Sequence, residues 1–291
     1  MRITDNMKFV SVGRSLSALR SRHAEVTGQV SSGRRVQKPS DDPVAAASLA
    51  RLAAQASRTA DFQSTISTVS SDISLTERSL AQASDLMVRA RELGVQGANG
   101  SLTASDRAML AGEVAALQKE LVATANTRGQ RGYLFSGSQT STAALSSAGA
   151  YQGDDIEHEV EISPGVLTRV TVTGGAAFGA AGGTDAFATL EALRQGLLAD
   201  DTAQIAATLD GLEASRAQIV RVQSEAGLIM NRLDTADEAM SVTALELSRR
   251  QSVLGDVDPF AAITELTQLT TTLEQAIAVA RTTFNTGNDL F

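Results

Sequence analysis

The sequence predicts a mainly α protein: an elongated helical bundle or coiled coil of paired N- and C-terminal helices, with a small β-rich insert. Three observations support this prediction. Apolar residues recur at helical spacing near both ends, aromatic residues make up only 3% of the 291 residues, and all four prolines fall between helical stretches. Seams of Ala and Leu can fill a thin bundle without the large aromatic side chains that compact cores use.

The first helix is predicted from about Thr4 to Val30, where apolar residues recur at alternating steps of three and four. Such steps place side chains on one stripe of a helix, which is the pattern of a coiled-coil seam. His23 falls on the same stripe, and Gly33 is well placed for a left-handed C-cap. The stripe predicts an assembly interface made of Phe9, Val12, Leu16, Leu19, Val26 and Val30.

A polar turn separates the first helix from a long second helix. Asp42 is expected to be the N-cap of the second helix and Pro43 its first residue. Adjacent carboxylates at Asp41 and Asp42 could also hold a cation or share a proton, but their place before a helix favours capping. We therefore assign a structural role to Gly33, Pro39, Asp41, Asp42 and Pro43.

The helical spacing of the second helix continues to a break near Gly97–Gly100, and a third helix, capped by Thr103 or Ser105, ends near Gly129. The spacing of apolar residues then changes from helical to alternating. Ile156–Ile162 and Val166–Val172 are predicted to form a hairpin with one apolar face.

Three glutamates, Glu157, Glu159 and Glu161, are expected on the solvated side of this hairpin. The glycine-rich stretch from Gly174 to Gly183 indicates a flexible connection, because no Lys-Ser or Lys-Thr follows it as a phosphate loop requires.

Helical spacing returns from Phe187 to Leu197 and again, over a long stretch, from Ile205 to Leu247. A break at Gly255–Pro259 precedes the terminal helix, whose stripe continues to the last residue. The second half of the predicted assembly interface lies on this helix and consists of Ile263, Leu266, Leu273, Ile277, Ala280, Phe284 and Phe291.

This order of elements predicts three domains. Residues 1–40 with 256–291 would form a terminal-helix coiled coil, which is the inner assembly domain. Residues 41–136 with 185–255 would form a bundle of long helices, and residues 137–184 a small outer domain that contains the hairpin.

The two ends of the chain carry opposite charge. Residues 1–38 hold eight Lys or Arg against two acidic residues, whereas residues 253–291 hold five Asp or Glu against one Arg. Opposite charge favours pairing of the ends, although each exposed pair adds only about 0–1 kcal/mol. The net charge of −8 argues against general binding to nucleic acid, and no apolar run is long enough to span a membrane.

The sequence offers no catalytic constellation. There is no cysteine, and His23 and His158 are far apart and without a carboxylate motif, so we expect no metal site. No serine or threonine lies in a nucleophile-elbow pattern. We therefore expect neither enzyme activity nor a cofactor.

Several segments together resemble the flagellin superfamily. The start of the chain is similar to that of the hook–filament junction family within it, and YQGDD with its hairpin fits the variable domain of that family. The segments are MRITDNM at the start, SSGRRVQKPSDDP at Ser31–Pro43, TERSLAQASDLMVRARELGVQGANGSLTASDR at Thr76–Arg107, ANTRGQRGYLFSG at Ala125–Gly137 and VDPFAAITELTQLTTTLEQAIAVA at Val257–Ala280.

The resemblance implies a structural junction subunit of the bacterial flagellum that links the hook side, through the first hook-associated protein, to the flagellin filament. It also implies association with copies of itself in a ring of the axial structure. Export by the flagellar export apparatus, with a dedicated chaperone, and a location on the extracellular flagellum are implied as well. Neither nucleic acid nor membrane is an expected partner.

Two other functions stay open on sequence grounds. A flagellin filament subunit would polymerise alone into long filaments, which a junction subunit would not. A soluble coiled-coil signalling protein would share the Ala/Gln/Ser/Thr-rich helices, but it would carry a helical hairpin in mid-chain, where this chain has a β insert.

Overall fold

A computed structural model of the chain describes residues 2–147, 149–179 and 182–288, without the side chains of residues 2–6, 8, 9 and 283–288. Over these residues the fold is mainly α, as predicted. The elements are α1 (Arg2–Ser32), α2 (Pro43–Gly97), α3 (Ala104–Ala125), β1 (Arg128–Gly129), β2 (Gly132–Tyr133), β3 (Glu159–Ser163), β4 (Val166–Arg169), α4 (Gly174–Phe178), α5 (Ala186–Leu198), α6 (Thr202–Gly255) and α7 (Pro259–Asn288).

The chain forms two compact units. Unit 1 consists of residues 1–58 and 244–291, and unit 2 consists of residues 59–243. The sequence predicted three domains with other boundaries, and that division stays a prediction.

Unit 1 contains the two terminal helices, the start of α2 and the end of α6. Helix α1 packs against α7. The start of α2 lies beside the end of α6, so closely that a Cβ atom added at Gly255 would be 3.2 Å from Leu49 Cδ2. Few of its described side chains are fully enclosed. The buried apolar residues of this unit are Val26, Val36, Ala45, Leu247, Ala262 and Ala280.

Unit 2 is built on the remaining parts of α2 and α6, with α3 packed on α5. Gln63 donates a hydrogen bond to Ser241 Oγ at 3.1 Å, which holds α2 and α6 side by side. The core is apolar and fully enclosed at its centre. Its largest fully buried side chains are Phe135, Ile73, Leu80, Met87, Leu93, Leu121, Leu190, Leu193, Leu197, Ile205, Leu212 and Ile219.

The last turns of α2 approach α5 and α6 closely because two glycines face them. A Cβ atom at Gly94 would lie 2.8 Å from Leu209 Cδ2, and one at Gly97 would overlap Leu197 Cδ2. Any larger residue at Gly97 would push these helices apart. The break after α2 is therefore also a place of close helix packing.

Helix α3 begins at a capping box, and of the two expected caps the structure uses Thr103. Its hydroxyl accepts from the Asp106 backbone N–H at 3.2 Å, while the Asp106 carboxylate accepts from the Thr103 N–H at 3.1 Å. The next residue, Arg107, is buried and donates to the carbonyls of Gly97 and Asn99, both at 2.8 Å. Its guanidinium also pairs with Asp200.

Two small antiparallel strand pairs follow α3 among the described residues: β1–β2 comes before the predicted insert, and β3–β4 lies within it. Strands β3 and β4 form the predicted hairpin, which buries Ile162 and Val170 and exposes Glu159. The hairpin is shorter than predicted, and Ile156 and Val166 are exposed. Ile156 precedes β3, and an irregularity in register between Glu161 and Ser163 accompanies the turn before Val166.

The interpretation of the glycine-rich stretch as a flexible connection was wrong for its first part, which forms α4. Thr173 caps this helix, and Gly179 ends it with φ of +99°. Phe178 packs in the core against Phe135 and Phe187, with ring centroids 5.5 and 6.0 Å apart. This aromatic contact orders a segment whose composition alone indicates flexibility.

Candidate assembly site

The predicted stripe of α1 is the face that packs toward α7. Val26 is fully buried, and the other described members are half-buried, whereas the side chains between Val12 and Val26 that lie off the stripe are exposed. The half-buried members are Val12, Leu16, Leu19 and Val30, together with His23. The side chain of Phe9 lies outside the described residues.

The predicted stripe of α7 is covered within the chain except at its start, and its part in assembly stays a prediction. Leu266, Leu273 and Ile277 are half-buried and Ala280 is buried, but Ile263 is 53% exposed. The side chain of Phe284 and the whole of Phe291 lie outside the described residues.

Sequence reasoning missed three residues on the α7 face: Ala262, which is buried, and Leu269 and Ala276, which are half-buried. They lie seven positions apart, and with Leu266 and Leu273 between them they also form a stripe at steps of three and four, so the sequence contained two overlapping stripes. The position of α1 selects between them. We call the half-covered contact between α1 and α7 the terminal seam.

Polar contacts also cross the terminal seam. Arg22 Nε donates to Glu265 Oε1 at 2.8 Å, and this hydrogen bond, with a second that Arg22 donates to Glu25, raises the pKa of the Arg22 guanidinium. His23 Nε2 lies 3.2 Å from Thr270 Oγ1. Both contacts are exposed to solvent and contribute little free energy, but they align the helices in one register.

The terminal seam is only partly covered within one chain. Full burial of one Val, Leu or Phe side chain stabilises a fold by about 1.5–3 kcal/mol, and half-buried side chains realise only part of this. Isolated helices are marginal in water, so helices held by one partly covered face have more to gain from a further partner.

A joint connects the two segments of unit 1, and it is built on the Ser31–Pro43 motif. Gly33 has φ of +71°, and its carbonyl accepts a hydrogen bond from Val257 N–H at 3.0 Å. The backbones of Arg34 and Asp256 form an isolated antiparallel β-bridge. The Arg35 guanidinium donates to the Leu254 carbonyl at 2.7 Å and to Asp42 Oδ2 at 3.1 Å. We call the residues 33–42 and 254–259 the joint.

The two adjacent carboxylates of the joint make different hydrogen bonds. Asp42 Oδ1 accepts from Ala45 N–H at 3.0 Å, as an N-cap does, and this bond, with the Arg35 contact, lowers the Asp42 pKa. Asp41 Oδ2 accepts from the N–H groups of Lys38 and Gln37, at 2.8 and 3.0 Å, which lowers the Asp41 pKa. Each carboxylate thus stabilises local backbone.

Within the part of the chain that the structure describes, no group of three His, Asp or Glu side chains is placed to hold a metal ion. None of the described helices is long and apolar enough to cross a membrane.

Comparison with known proteins identifies the terminal regions. Residues 3–140 match the family described as the bacterial flagellin N-terminal helical region, and residues 209–283 match the flagellin C-terminal helical region. The chain is 30% identical to flagellar hook-associated protein 3 of Escherichia coli over 298 residues, which covers 94% of each chain.

Solved structures agree with this assignment. A hook-associated protein from Vibrio parahaemolyticus is 28% identical, covers 74% of this chain and 99% of its own, and superposes with a TM-score of 0.68. The flagellar junction protein FlgL of Legionella pneumophila shares the fold at 20% identity, with a TM-score of 0.58 over 72% of this chain and 100% of its own.

Proposed function

This chain belongs to the flagellin superfamily and, within it, to the flagellar hook-associated protein 3 family, and on that premise we propose that it is a structural junction subunit of the bacterial flagellum. In this function it links the hook side, through the first hook-associated protein, to the flagellin filament. It acts by assembly and has no catalytic role.

The observation that carries the proposal is the terminal seam. A seam that is half-covered in one chain gains apolar burial when neighbouring subunits cover it, so assembly and completion of the helix packing are one event. The residues that carry assembly are the stripes of α1 and α7, to which the sequence analysis assigned Phe9, Phe284 and Phe291 as well.

The remaining partners follow from the same function. Copies of the chain would form a ring in the axial structure. The flagellar export apparatus and a dedicated chaperone would deliver the chain to the extracellular flagellum.

The runner-up function is a flagellin filament subunit. Identity to a hook-associated protein over 94% of both chains favours the junction subunit. The purified chain alone should therefore not polymerise into long filaments, and growth of such filaments would reverse the choice.

Seam variants test the proposal in cells. Leu19→Asp or Ile277→Asp would place a carboxylate without a partner in an assembled apolar seam, where loss of hydration is costly. Such cells should release flagellin into the medium and lack filaments, while the melting temperature of unit 2 stays unchanged. Electron microscopy and analysis of secreted protein provide the readouts.

The control is Leu228→Asp, at a 61% exposed position of unit 2, which should leave filaments intact. Secretion of each variant must be measured separately, because the N-terminal residues also serve the proposed export signal. Full-length filaments on cells that export Leu19→Asp would refute the proposal.

A further inference from the structure

Large apolar side chains protrude at the joint of unit 1. Val253 and Phe260 are each 83% exposed and Val44 is 78% exposed, and these are the three most exposed large apolar side chains of the described residues. Each lies within a few positions of a residue of the joint, namely Asp42, Leu254 or Val257. Arg35 binds Asp42 and the Leu254 carbonyl, and the Gly33 carbonyl accepts from Val257 N–H. Ile263, one helical turn after Phe260, is also exposed. An exposed apolar group of this kind marks an interaction site.

One of these side chains, Val253, lines a groove between the start of α2 and the end of α6. Its volume is about 560 Å³, and Leu52, Val253 and Leu254 form its apolar part. Arg51, Arg249 and Arg250 also line it. We call it the arginine groove.

The charge of the arginine groove is only partly balanced. Arg250 pairs with Glu246 at 2.7 Å, but none of the described carboxylates lies within ion-pair distance of Arg51 or Arg249. The groove therefore fits an apolar segment that also carries negative charge.

The start of α7 has this chemistry. It presents Phe260 and Ile263, and Asp258 precedes them. Asp258 Oδ1 caps α7 through the N–H groups of Phe260 and Ala261, and its Oδ2 makes no hydrogen bond to the described residues. Because Phe260 is 83% exposed in its own chain, its own groove does not enclose it.

We propose that the arginine groove of one copy receives the Phe260–Ile263 turn of α7 from a second copy. The inference rests on the proposed function and names a surface through which copies meet. Phe260 is the aromatic anchor, as buried aromatic residues are in many interfaces. Because groove and turn are different surfaces, copies that are arranged head-to-tail through this contact keep a groove or a turn for a further copy.

Engineered cysteines test the contact in the full-length chain, which has none of its own. Leu52→Cys and Ala261→Cys are prepared separately, one with a size tag, and mixed under mild oxidation; Ala261 is exposed beside Phe260, so the anchor stays in place. Docking raises the effective concentration of the two thiols, so the mixed disulfide should form at least about tenfold faster than with Leu228→Cys in place of Leu52→Cys. High salt should slow it, because salt screens the arginines.

A charge variant separates docking from random collision. Arg249→Glu in the Leu52→Cys chain should reduce the rate toward that of the control, whereas Arg249→Lys should retain most of it. Equal rates for the Leu52 and Leu228 mixtures would overturn the inference. If Leu19→Asp still prevents joining of hook and filament in that case, the proposed function stands without this contact.

Discussion

At the scale of single residues, the joint depends on Asp42, which makes two contacts of different kinds. Its Oδ1 accepts from a backbone N–H of α2, and its Oδ2 accepts from Arg35, which also binds the Leu254 carbonyl. A single carboxylate thus links the start of α2 to the end of α6.

Two substitutions of Asp42 should show how much each of these contacts contributes to stability. Asp42→Ala loses both and should destabilise unit 1 more than Asp42→Asn, which keeps an oxygen for the Ala45 N–H. Denaturant unfolding at neutral pH, followed by a probe in unit 1, measures the order. Were Asp42 a metal ligand instead, a chelator would lower the melting temperature of the wild type.

The same carboxylate should make stability depend on acid. The folded pKa of Asp42 is lowered, so its contribution is present above the ordinary Asp pKa of about 4 and is lost as pH falls through the folded value. The difference in stability between wild type and Asp42→Asn should therefore shrink as the pH falls. A difference that stays constant down to about pH 2 would contradict this account.

At the scale of elements, sequence periodicity predicted the six long helices and the hairpin because their apolar spacing is sustained. It missed β1–β2 and α4, which are too short for a periodic signal. Phe178 in α4 is ordered by contacts with Phe135 and Phe187, and such distant contacts are not visible in local sequence.

The candidate site shows the same limit. On α1 the described stripe residues, Val12, Leu16, Leu19, Val26 and Val30, are the ones covered within the chain, because only one stripe of α1 is apolar. On α7 the choice between Ile263 and Ala262 depends on where α1 lies, and Ala gives little hydrophobic signal. The role of both stripes as an assembly interface stays a proposal.

Two glycines in helices should respond to alanine in opposite directions. Gly97→Ala would overlap Leu197, and overpacking of this kind costs typically about 1–3 kcal/mol. Gly112, in α3, has no atom within 4 Å of an added Cβ, so Gly112→Ala should stabilise the helix by about 0.5–1 kcal/mol. Denaturant unfolding of unit 2 measures both, and a stabilising Gly97→Ala would show that the close approach is unnecessary.

At the scale of the whole molecule, the two units differ in how much apolar surface they enclose. Unit 2 has a continuous core, whereas unit 1 encloses few apolar side chains and leaves its terminal seam half-covered. We therefore expect two thermal transitions, with unit 1 melting first.

Calorimetry of the full chain with one variant in each unit tests this expectation. Leu19→Asp should lower only the first transition, and Leu80→Ala, at a fully buried position, should destabilise the second by about 2–5 kcal/mol. A single transition that both variants lower together would show that the two units unfold as one.

The joint also sets an order for folding. The Arg35 side chain and the Leu254 carbonyl that it binds are 219 positions apart in sequence, so this contact closes a loop of about three quarters of the 291-residue chain. Unit 2 is one continuous segment, and its Gln63–Ser241 hydrogen bond already brings its two ends together. Folding of unit 2 first removes most of the loop entropy that closing the joint would otherwise cost. A chain truncated before Leu254 could fold unit 2 but could not complete the joint, so under the proposed function such subunits would be kept out of the assembly.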